Sequence, residues 1–193
     1  MMVVREYCTI KYKAKVCFVE KKSEFIGYAA PVTDEKSALT FLENIRSLHR
    51  RANHNVFAYS IRKNNIVRYS DDGEPQGTAG LPVLNFLKKN GITDVIVVIT
   101  RYFGGTLLGT GGLVRAYTQT TKLTIEKAQK ITIRYFTNVH IKCAYEHYGK
   151  ISNILSGENA VIDNEDFSDS VNIKCHILDN NYESICEKIN EIT

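Results

Sequence analysis

The 193-residue sequence has no long apolar run and no recognisable leader segment. No stretch approaches the roughly 18 apolar residues that a membrane-spanning helix requires. The first residues, MMVVREYCTIKYK, lack the apolar centre and the small-residue cleavage site of a secretory signal. We therefore expect a globular cytoplasmic protein with no membrane partner. With 44% hydrophobic and 24% charged residues, the chain can bury one good core or two small ones.

Paired cysteines are also missing. The cysteines number five, and none belongs to a C-x-x-C pair. An odd count without paired spacing argues against a disulfide framework or a metal site, so we predict reduced and mostly buried thiols. No activating base stands near them in the sequence, which argues against a catalytic thiol. The five are Cys8, Cys17, Cys143, Cys175 and Cys186.

Complete nucleotide-cofactor motifs are absent as well. The segment that starts at Gly104 has Thr110 where a P-loop requires its phosphate-binding lysine. The segment that starts at Gly109 fails the dinucleotide-binding pattern at Val114. We therefore predict no cofactor.

What the sequence does contain is a concentration of glycine in residues 70–117. Nine of the twelve glycines lie there, against an average usage of about one residue in fourteen. Between two glycine-rich loops, residues 94–100 form a β-branched run that predicts a strand buried on both faces. Apolar residues at helical spacing predict helices at 78–90 and 111–129. We expect both helices to pack on this strand and the two loops to form one anion-receptive surface.

The other patterns predict an α+β chain with two domains. In the first, strands at 7–20 and 24–31 precede a helix that Thr33 caps and that ends near His49. We expect the helices of this domain on one face of its sheet. The pattern restarts near residue 130, in the order strand, helix, strand, strand, helix, which predicts a ferredoxin-like unit without its last strand. The predicted domains are 1–130 and 131–193, and the remaining predicted elements are strands 54–61, 66–70, 131–143, 160–167 and 170–178 and helices 146–155 and 181–192.

The two halves carry opposite charge. Residues 1–130 hold 20 Lys and Arg against 11 Asp and Glu, a net charge of +9. Residues 131–193 hold 5 against 10, a net charge of −5. A basic half indicates an anionic polymer such as RNA, although an ordinary solvated surface gives the same count. The acidic half indicates a protein partner.

Three carboxylates stand close together in the first glycine loop, at Asp71, Asp72 and Glu74. They are compatible with a Mg²⁺ site or with acid and base catalysis. The alternative function would then be a metal-dependent enzyme acting on a phosphorylated small molecule or nucleotide. We favour the competing interpretation, an acidic turn whose side chains accept backbone N–H bonds and cap the next helix.

The second glycine loop, residues 101–112, leads into a helix start, where free N–H groups and the helix dipole favour anions. Basic residues flank it, and the aromatic pair beside the first arginine, Tyr102 and Phe103, has the chemistry to stack on bases. A structural turn and a buried aromatic side chain are the competing interpretations. The predicted nucleic-acid-binding residues are Arg101, Arg115, Lys88, Lys89, Tyr102, Gly104, Gly105, Gly111 and Gly112.

At these residues the sequence resembles the Impact family, whose bacterial members are often called the YigZ family. The resemblance covers most of residues 15–125, and it departs from the family at Val56, where a Cys is common. The motifs that carry it are Ser70-Asp71-Asp72-Gly73-Glu74-Pro75, Gly77-Thr78-Ala79-Gly80, Thr100-Arg101-Tyr102-Phe103-Gly104-Gly105, Leu108-Gly109 and Gly111-Gly112-Leu113-Val114-Arg115-Ala116-Tyr117.

The resemblance implies a first domain like domain 2 of ribosomal protein S5 and a ferredoxin-like second domain similar to the last domain of elongation factor G. Eukaryotic relatives regulate translation by competing for a partner of a kinase that acts on an initiation factor. They carry an extra N-terminal domain, so we do not expect that mechanism to transfer. The family supplies no agreed catalytic residues. We therefore expect a regulatory, nonenzymatic protein that binds RNA or the ribosome.

Overall fold

A computed structural model describes residues 6–192, which separate into two compact units. The first unit comprises residues 7–133, and the second comprises residues 134–192 together with Glu6. Each unit mixes helices with antiparallel sheet around its own apolar core. The α+β class expected from the sequence is therefore confirmed.

The first unit is organised around a five-stranded sheet. Its elements are β1 (Glu6–Ile10), β2 (Ala14–Glu20), β3 (Ser23–Pro31), α1 (Glu35–Leu48), β4 (His54–Ile61), β5 (Ile66–Ser70), α2 (Gly80–Lys89), β6 (Val95–Tyr102), α3 (Gly109–Ala128) and β7 (Lys130–Arg134). The strand order is β2-β3-β6-β4-β5, with every neighbouring pair antiparallel. A separate two-stranded sheet pairs β1 with β7.

The central strand β6 is buried on both faces, as its β-branched sequence predicts. Val97 and Ile99 face the core beneath α2 and α3, whereas Ile96 and Val98 face the core beneath α1. Because successive side chains of a strand point to opposite faces, a run with no polar alternation needs an apolar cover on each side. The helices therefore lie on both faces of the sheet, and the expectation that they lie on one face is wrong.

Two long predicted strands are each divided in the structure. The amides of Lys11 and Tyr12 donate to the carbonyl of Ala128 at 3.2 and 3.0 Å, which turns the chain between β1 and β2. The predicted strand 131–143 is also interrupted, at Tyr135 between β7 and the next strand. Helix α1 is capped by Asp34 rather than by Thr33, because the Asp34 carboxylate accepts the amide of Ser37 at 2.7 Å.

The second unit has the predicted order of strand, helix, strand, strand, helix. Its elements are β8 (Phe136–Cys143), α4 (Tyr145–Gly157), β9 (Val161–Phe167), β10 (Val171–Leu178) and α5 (Tyr182–Asn190). The sheet order is β8-β10-β9, again antiparallel. Its core includes Ile151, Leu155, Ile173 and Ile177, which are fully buried.

All five cysteines are free thiols, as predicted, but most of them are not buried. Cys143 and Cys175 lie in the core of the second unit, whereas Cys17 is exposed on β2. Partial burial and the neighbouring Glu24 carboxylate raise the pKa of the Cys17 thiol, which opposes thiolate formation. Among residues 6–192, no helix is long and apolar enough to cross a membrane.

Candidate functional site

The two glycine-rich loops meet at one cavity in the first unit, with a volume of about 490 Å³. Gly73, Glu74 and Pro75 come from the loop between β5 and α2. Residues 103, 107 and 108 come from the loop between β6 and α3, and residues 109 and 110 are the first of α3. Antiparallel pairing of β6 with β4 brings His54 to the same place, because His54 lies opposite Arg101 in the register. The pairing of these strands therefore places both loops and His54 around the same cavity.

A buried ion pair forms the floor of this cavity. Arg101 Nη1 donates to both carboxylate oxygens of Glu74, at 2.7 and 3.0 Å, and the Tyr117 hydroxyl donates to Glu74 Oε1 at 2.7 Å. The guanidinium carbon also lies 5.3 Å from the ring centroid of Phe25 and 5.6 Å from that of Phe103. Burial, reinforced by the Glu74 charge, raises the pKa of the Tyr117 hydroxyl far above its ordinary value, so the phenol stays protonated.

Arg101 does not have the exposed position that a phosphate contact requires. Only 5% of the residue is accessible, and its charge is already matched by Glu74. Its Nε atom is buried and has no hydrogen-bond partner among the described residues. The structure thus contradicts a surface phosphate contact by Arg101 and leaves one buried N–H unsatisfied beside the cavity.

The acidic loop is a backbone-binding turn, which is the interpretation that we favoured. Asp71 accepts the amides of Gly77, Ala79 and Gly80 at 2.8, 3.1 and 2.7 Å, and so it stabilises the start of α2. The carboxylate of Asp72 accepts the amide of Asn55 at 2.6 Å.

The alternative metal site at Asp71, Asp72 and Glu74 is not formed. The three carboxylates are directed to separate partners, two to backbone amides and one to Arg101. Across the described part of the chain, no group of three or more His, Cys, Asp or Glu side chains is placed to hold a metal ion. The described structure therefore gives no support to a metal site built from these three side chains.

The start of α3 is open to solvent at the rim of the same cavity. Leu108 occupies the cap position, where no side-chain hydrogen bond is present in the described structure. The first amides of a helix have no partner within the helix, so those of Gly109, Thr110 and Gly111 depend on solvent or a ligand. All three residues are exposed, and a Cβ added at Gly111 would meet only the Arg115 guanidinium, at 4.0 Å.

The other predicted glycines have different roles. A Cβ at Gly104 would lie 2.0 Å from the carbonyl carbon of Lys22, so a glycine is required for the close approach of the two backbones. A Cβ at Gly112 would approach Leu108 Cβ at 3.0 Å, which makes its position a packed one. Gly105 is exposed, with a φ of +84° that favours glycine and open space around it.

Basic side chains flank α3 on both sides. Lys21 and Arg115 line a cleft of about 500 Å³ on one side of the helix. Lys89 lines a cleft of about 570 Å³ on the other side, next to α2. Val114 and Thr118 line both clefts and so form the ridge between them. We call these five residues the α3 surface, and Lys88, which is exposed, adjoins it in sequence.

Tyr102 is not part of the α3 surface. It lies one position after Arg101 on β6, so its side chain points to the opposite face of the sheet, into the core beneath α1. There the Tyr102 hydroxyl lies 2.9 Å from His49 Nδ1. The structure therefore separates Tyr102 from the other predicted nucleic-acid-binding residues.

Several residues of the cavity were not predicted from the sequence. Asn53, His54, Leu107 and Thr110 line it, and Lys21 contributes to the α3 surface. Their one sequence signal is proximity to a predicted strand end or glycine loop, which does not distinguish a lining side chain from its neighbours.

Comparison with known families gives two matches, one in each half of the chain. Residues 21–125 match the family model described as the Impact N-terminal domain. Residues 141–193 match a model described as a domain of unknown function, DUF1949. The first match contains both glycine loops and the whole of α1, α2 and β6.

Similar proteins extend the match over nearly the whole chain. The IMPACT family member YvyE of Bacillus subtilis is 33% identical over 99% of this chain and 88% of its own length. The IMPACT family member YigZ of Escherichia coli is 35% identical over 80% of this chain and 78% of its own length. A crystal structure described as that of a hypothetical protein aligns with a TM-score of 0.65 at 28% identity, covering 99% of this chain and 94% of the other.

Proposed function

The chain belongs to the Impact family, and from that premise we propose that it is a translation-associated protein that binds RNA or the ribosome. Its role is regulatory rather than catalytic. The α3 surface and the open start of α3 bind the phosphates, with Arg115, Lys21, Lys88 and Lys89 as the charged contacts and Gly105 and Gly111 allowing close approach of the backbone.

The observation that carries this proposal is the helix start without a cap beside exposed cations. Free amides and the positive end of the helix dipole favour phosphate oxygens. Arg115 lies one helical turn after Gly111, on the same side of α3. Lys21 and Lys89 extend the positive charge to both sides of the helix. Such a surface matches the spaced charges of a nucleic-acid backbone better than it matches one small anion.

Fold parallels are part of the proposal. We infer that the domains divide near residue 130, with the first like domain 2 of ribosomal protein S5 and the second ferredoxin-like. The β8-β10-β9 order, with helices after β8 and β10, supports the second parallel. Both comparison folds belong to proteins of the translation apparatus, which supports a ribosomal or RNA partner and a cytoplasmic location.

A protein partner for the second domain is a subsidiary proposal. Its net charge of −5 disfavours direct contact with RNA and favours a basic protein surface. The first domain would then bind RNA while the second domain binds the protein whose role in translation is regulated.

Salt-dependent binding of a fluorescein-labelled RNA hairpin tests the proposed function. We expect the logarithm of the association constant to fall linearly with the logarithm of salt concentration. Arg115→Ala should weaken binding and reduce the magnitude of that slope by about 1, because one phosphate contact is lost. Lys36→Ala is the matched control, since Lys36 is exposed on α1 at the opposite face of the sheet. Affinity that does not change with salt, or equal effects of the two substitutions, would contradict the proposal.

A further inference from the structure

We propose that the cavity between the two glycine loops, here called the Phe103 cavity, takes one unpaired base of an RNA strand whose phosphate lies at the start of α3. This inference rests on the proposed function and deepens it, because it names single-stranded RNA as the ligand. Its elements are an apolar wall, a polar edge and an adjoining phosphate position.

Exposed apolar side chains form the wall. Phe103 is 45% accessible and Leu107 is 82% accessible, and Pro75 and Leu108 line the same cavity. Its volume of about 490 Å³ falls within the roughly 300–1,000 Å³ of small-molecule sites, and it exceeds what a base alone needs. An aromatic ring at the mouth of such a cavity has the geometry to stack on a base, as in proteins that bind single strands.

Hydrogen-bonding groups along one side form the edge. The Asn53 side-chain oxygen accepts the amide of Phe103 at 2.8 Å, which fixes the side chain and leaves its NH₂ group to donate. His54 Nδ1 lies 2.8 Å from the carbonyl oxygen of Asp72. Because a carbonyl oxygen only accepts, Nδ1 is the donor of this hydrogen bond, and the other ring nitrogen, Nε2, lies 3.9 Å from Glu74 Oε2.

Arg101 lies beneath this edge. The residue lines the cavity, and its buried Nε lacks a partner within residues 6–192. Almost none of the Nε surface is accessible, so Arg101 shapes the wall of the cavity and donates no hydrogen bond from Nε to the ligand. The Asn53 NH₂ group and the partly exposed His54 ring supply the polar edge of the cavity, where the hydrogen-bonding groups of a base would lie.

The phosphate position is continuous with the cavity. Gly109 and Thr110 line it, and they are also the first residues of α3, whose amides are free. A strand that places its base against Phe103 therefore brings the attached phosphate to the helix start. Paired bases in a duplex are stacked and cannot enter, so the cavity selects unpaired RNA.

A single tryptophan placed at the cavity tests this inference, because the chain contains no tryptophan. Phe103→Trp keeps an aromatic ring at the wall and adds a fluorophore. We expect oligoadenylate to quench its emission, and a duplex RNA of equal length to leave it unchanged. The matched control is Tyr69→Trp on β5, since Tyr69 is 46% accessible and lies outside the cavity lining. Its emission should not respond to either RNA.

Binding is followed independently by the anisotropy of fluorescein-labelled oligoadenylate. Phe103→Ala should weaken this binding about tenfold, the size expected for one lost stacking contact. Oligoadenylate that binds without quenching Phe103→Trp would overturn the base site while leaving the proposed RNA binding intact. Quenching by adenosine monophosphate but not by oligoadenylate would also overturn it, in favour of a free nucleotide. Absence of binding to any RNA would instead refute the proposed function on which the inference rests.

Discussion

At the residue scale, loss of either member of the buried Glu74–Arg101 ion pair should lower the stability of the first unit substantially. Both side chains are almost completely buried, at 3% and 6% accessibility, so neither charge is solvated by water when its partner is lost. We expect Glu74→Gln to lower the free energy of unfolding by about 3–5 kcal/mol, since it leaves the guanidinium uncompensated. Urea denaturation followed by circular dichroism measures the change.

An exposed ion pair provides the control for that substitution. Glu43 binds Arg46 one helical turn away at 2.9 Å, with 65% of the glutamate side chain accessible. Pairs of this kind contribute less than about 1 kcal/mol, so Glu43→Gln should have little effect on unfolding. Equal losses from Glu74→Gln and Glu43→Gln would show that burial does not determine the strength of the interaction at Glu74.

His49 makes the stability of the first unit depend on pH. Its ring nitrogens lie 2.6 Å from the Tyr28 hydroxyl and 2.9 Å from the Tyr102 hydroxyl. Burial, with a smaller effect of the Lys15 charge, lowers the pKa of His49 below its ordinary value of 6.5, although Glu24 opposes the shift. As the pH falls, His49 therefore binds a proton in the unfolded chain before it does so in the folded protein. The free energy of unfolding should decrease as the pH falls through about 6.5, the ordinary pKa of histidine.

The expected outcome is a smaller acid-dependent loss of stability when this group is removed. Urea unfolding of the wild type and of His49→Gln, compared between about pH 7.5 and about pH 5, should show the smaller decrease in the variant. His140→Gln is the control, because His140 is exposed on β8 in the other unit. Identical pH dependence in the wild type and His49→Gln would contradict the role of His49.

The sequence predicts those parts of the site that follow from local residue patterns. It does not predict the parts that depend on contacts between distant segments of the chain. The positions of the glycine loops and of the start of α3 follow from residue types at local spacing. The burial of Arg101 does not, because the alternation on β6 places Arg101 and Tyr102 on opposite faces without indicating which face holds which helix. Pairing of Arg101 with Glu74, 27 positions earlier, is a tertiary contact that local patterns do not report.

At the scale of elements, α3 has a glycine in its first turn, Gly111, at a position where the surrounding packing would accept a larger residue. Gly111 is helical, exposed and almost free of neighbours, so an alanine would fit there and should stabilise the helix by about 0.5–1 kcal/mol. We expect Gly111→Ala to raise the melting temperature and yet weaken binding of single-stranded RNA, because the methyl group keeps the phosphate away from the helix amides. Thermal denaturation and anisotropy measure the two effects.

Gly149 is the matched control for Gly111. It lies inside α4, is exposed, and has no atom within 4 Å of an added Cβ. Gly149→Ala should therefore stabilise its helix by a similar amount and leave RNA binding unchanged. If Gly111→Ala stabilises the protein without weakening RNA binding, the close approach of a phosphate to α3 is refuted.

The secondary structure was predicted better than the way its elements pack. Strands β4 and β5 have the bounds that their alternating sequences predict, and the helices agree to within a few residues. The errors are the two divided strands, because an alternating pattern does not reveal that the amides of Lys11 and Tyr12 bond to Ala128 or that the later strand is interrupted at Tyr135. The placement of helices on both faces of the sheet was also not predicted. The fully apolar sequence of β6 indicates it, because such a strand needs apolar side chains packed on each face.

At the scale of the whole molecule, two separate cores predict two separate stabilities. The first unit contains a sheet that is covered by an apolar cluster on each face. The second unit, of residues 134–192, has one smaller cluster. Small units bury a smaller fraction of their surface and are correspondingly less stable. We therefore expect the second unit to unfold at a lower urea concentration than the first.

Two buried cysteines allow the second unit to be followed alone. Cys143 and Cys175 lie in its core, and burial raises the pKa of both thiols, so they should resist alkylation until that core opens. Pulsed iodoacetamide labelling with mass spectrometry should give a lower urea midpoint for these two thiols than hydrogen exchange gives for the amides of β6. Cys17 is exposed, so the reagent should reach it without urea and label it, more slowly than an ordinary thiol because its pKa is raised, which confirms that the reagent is active. Coincident midpoints would instead indicate that the chain unfolds as one cooperative unit, and the division into independently stable units would be refuted.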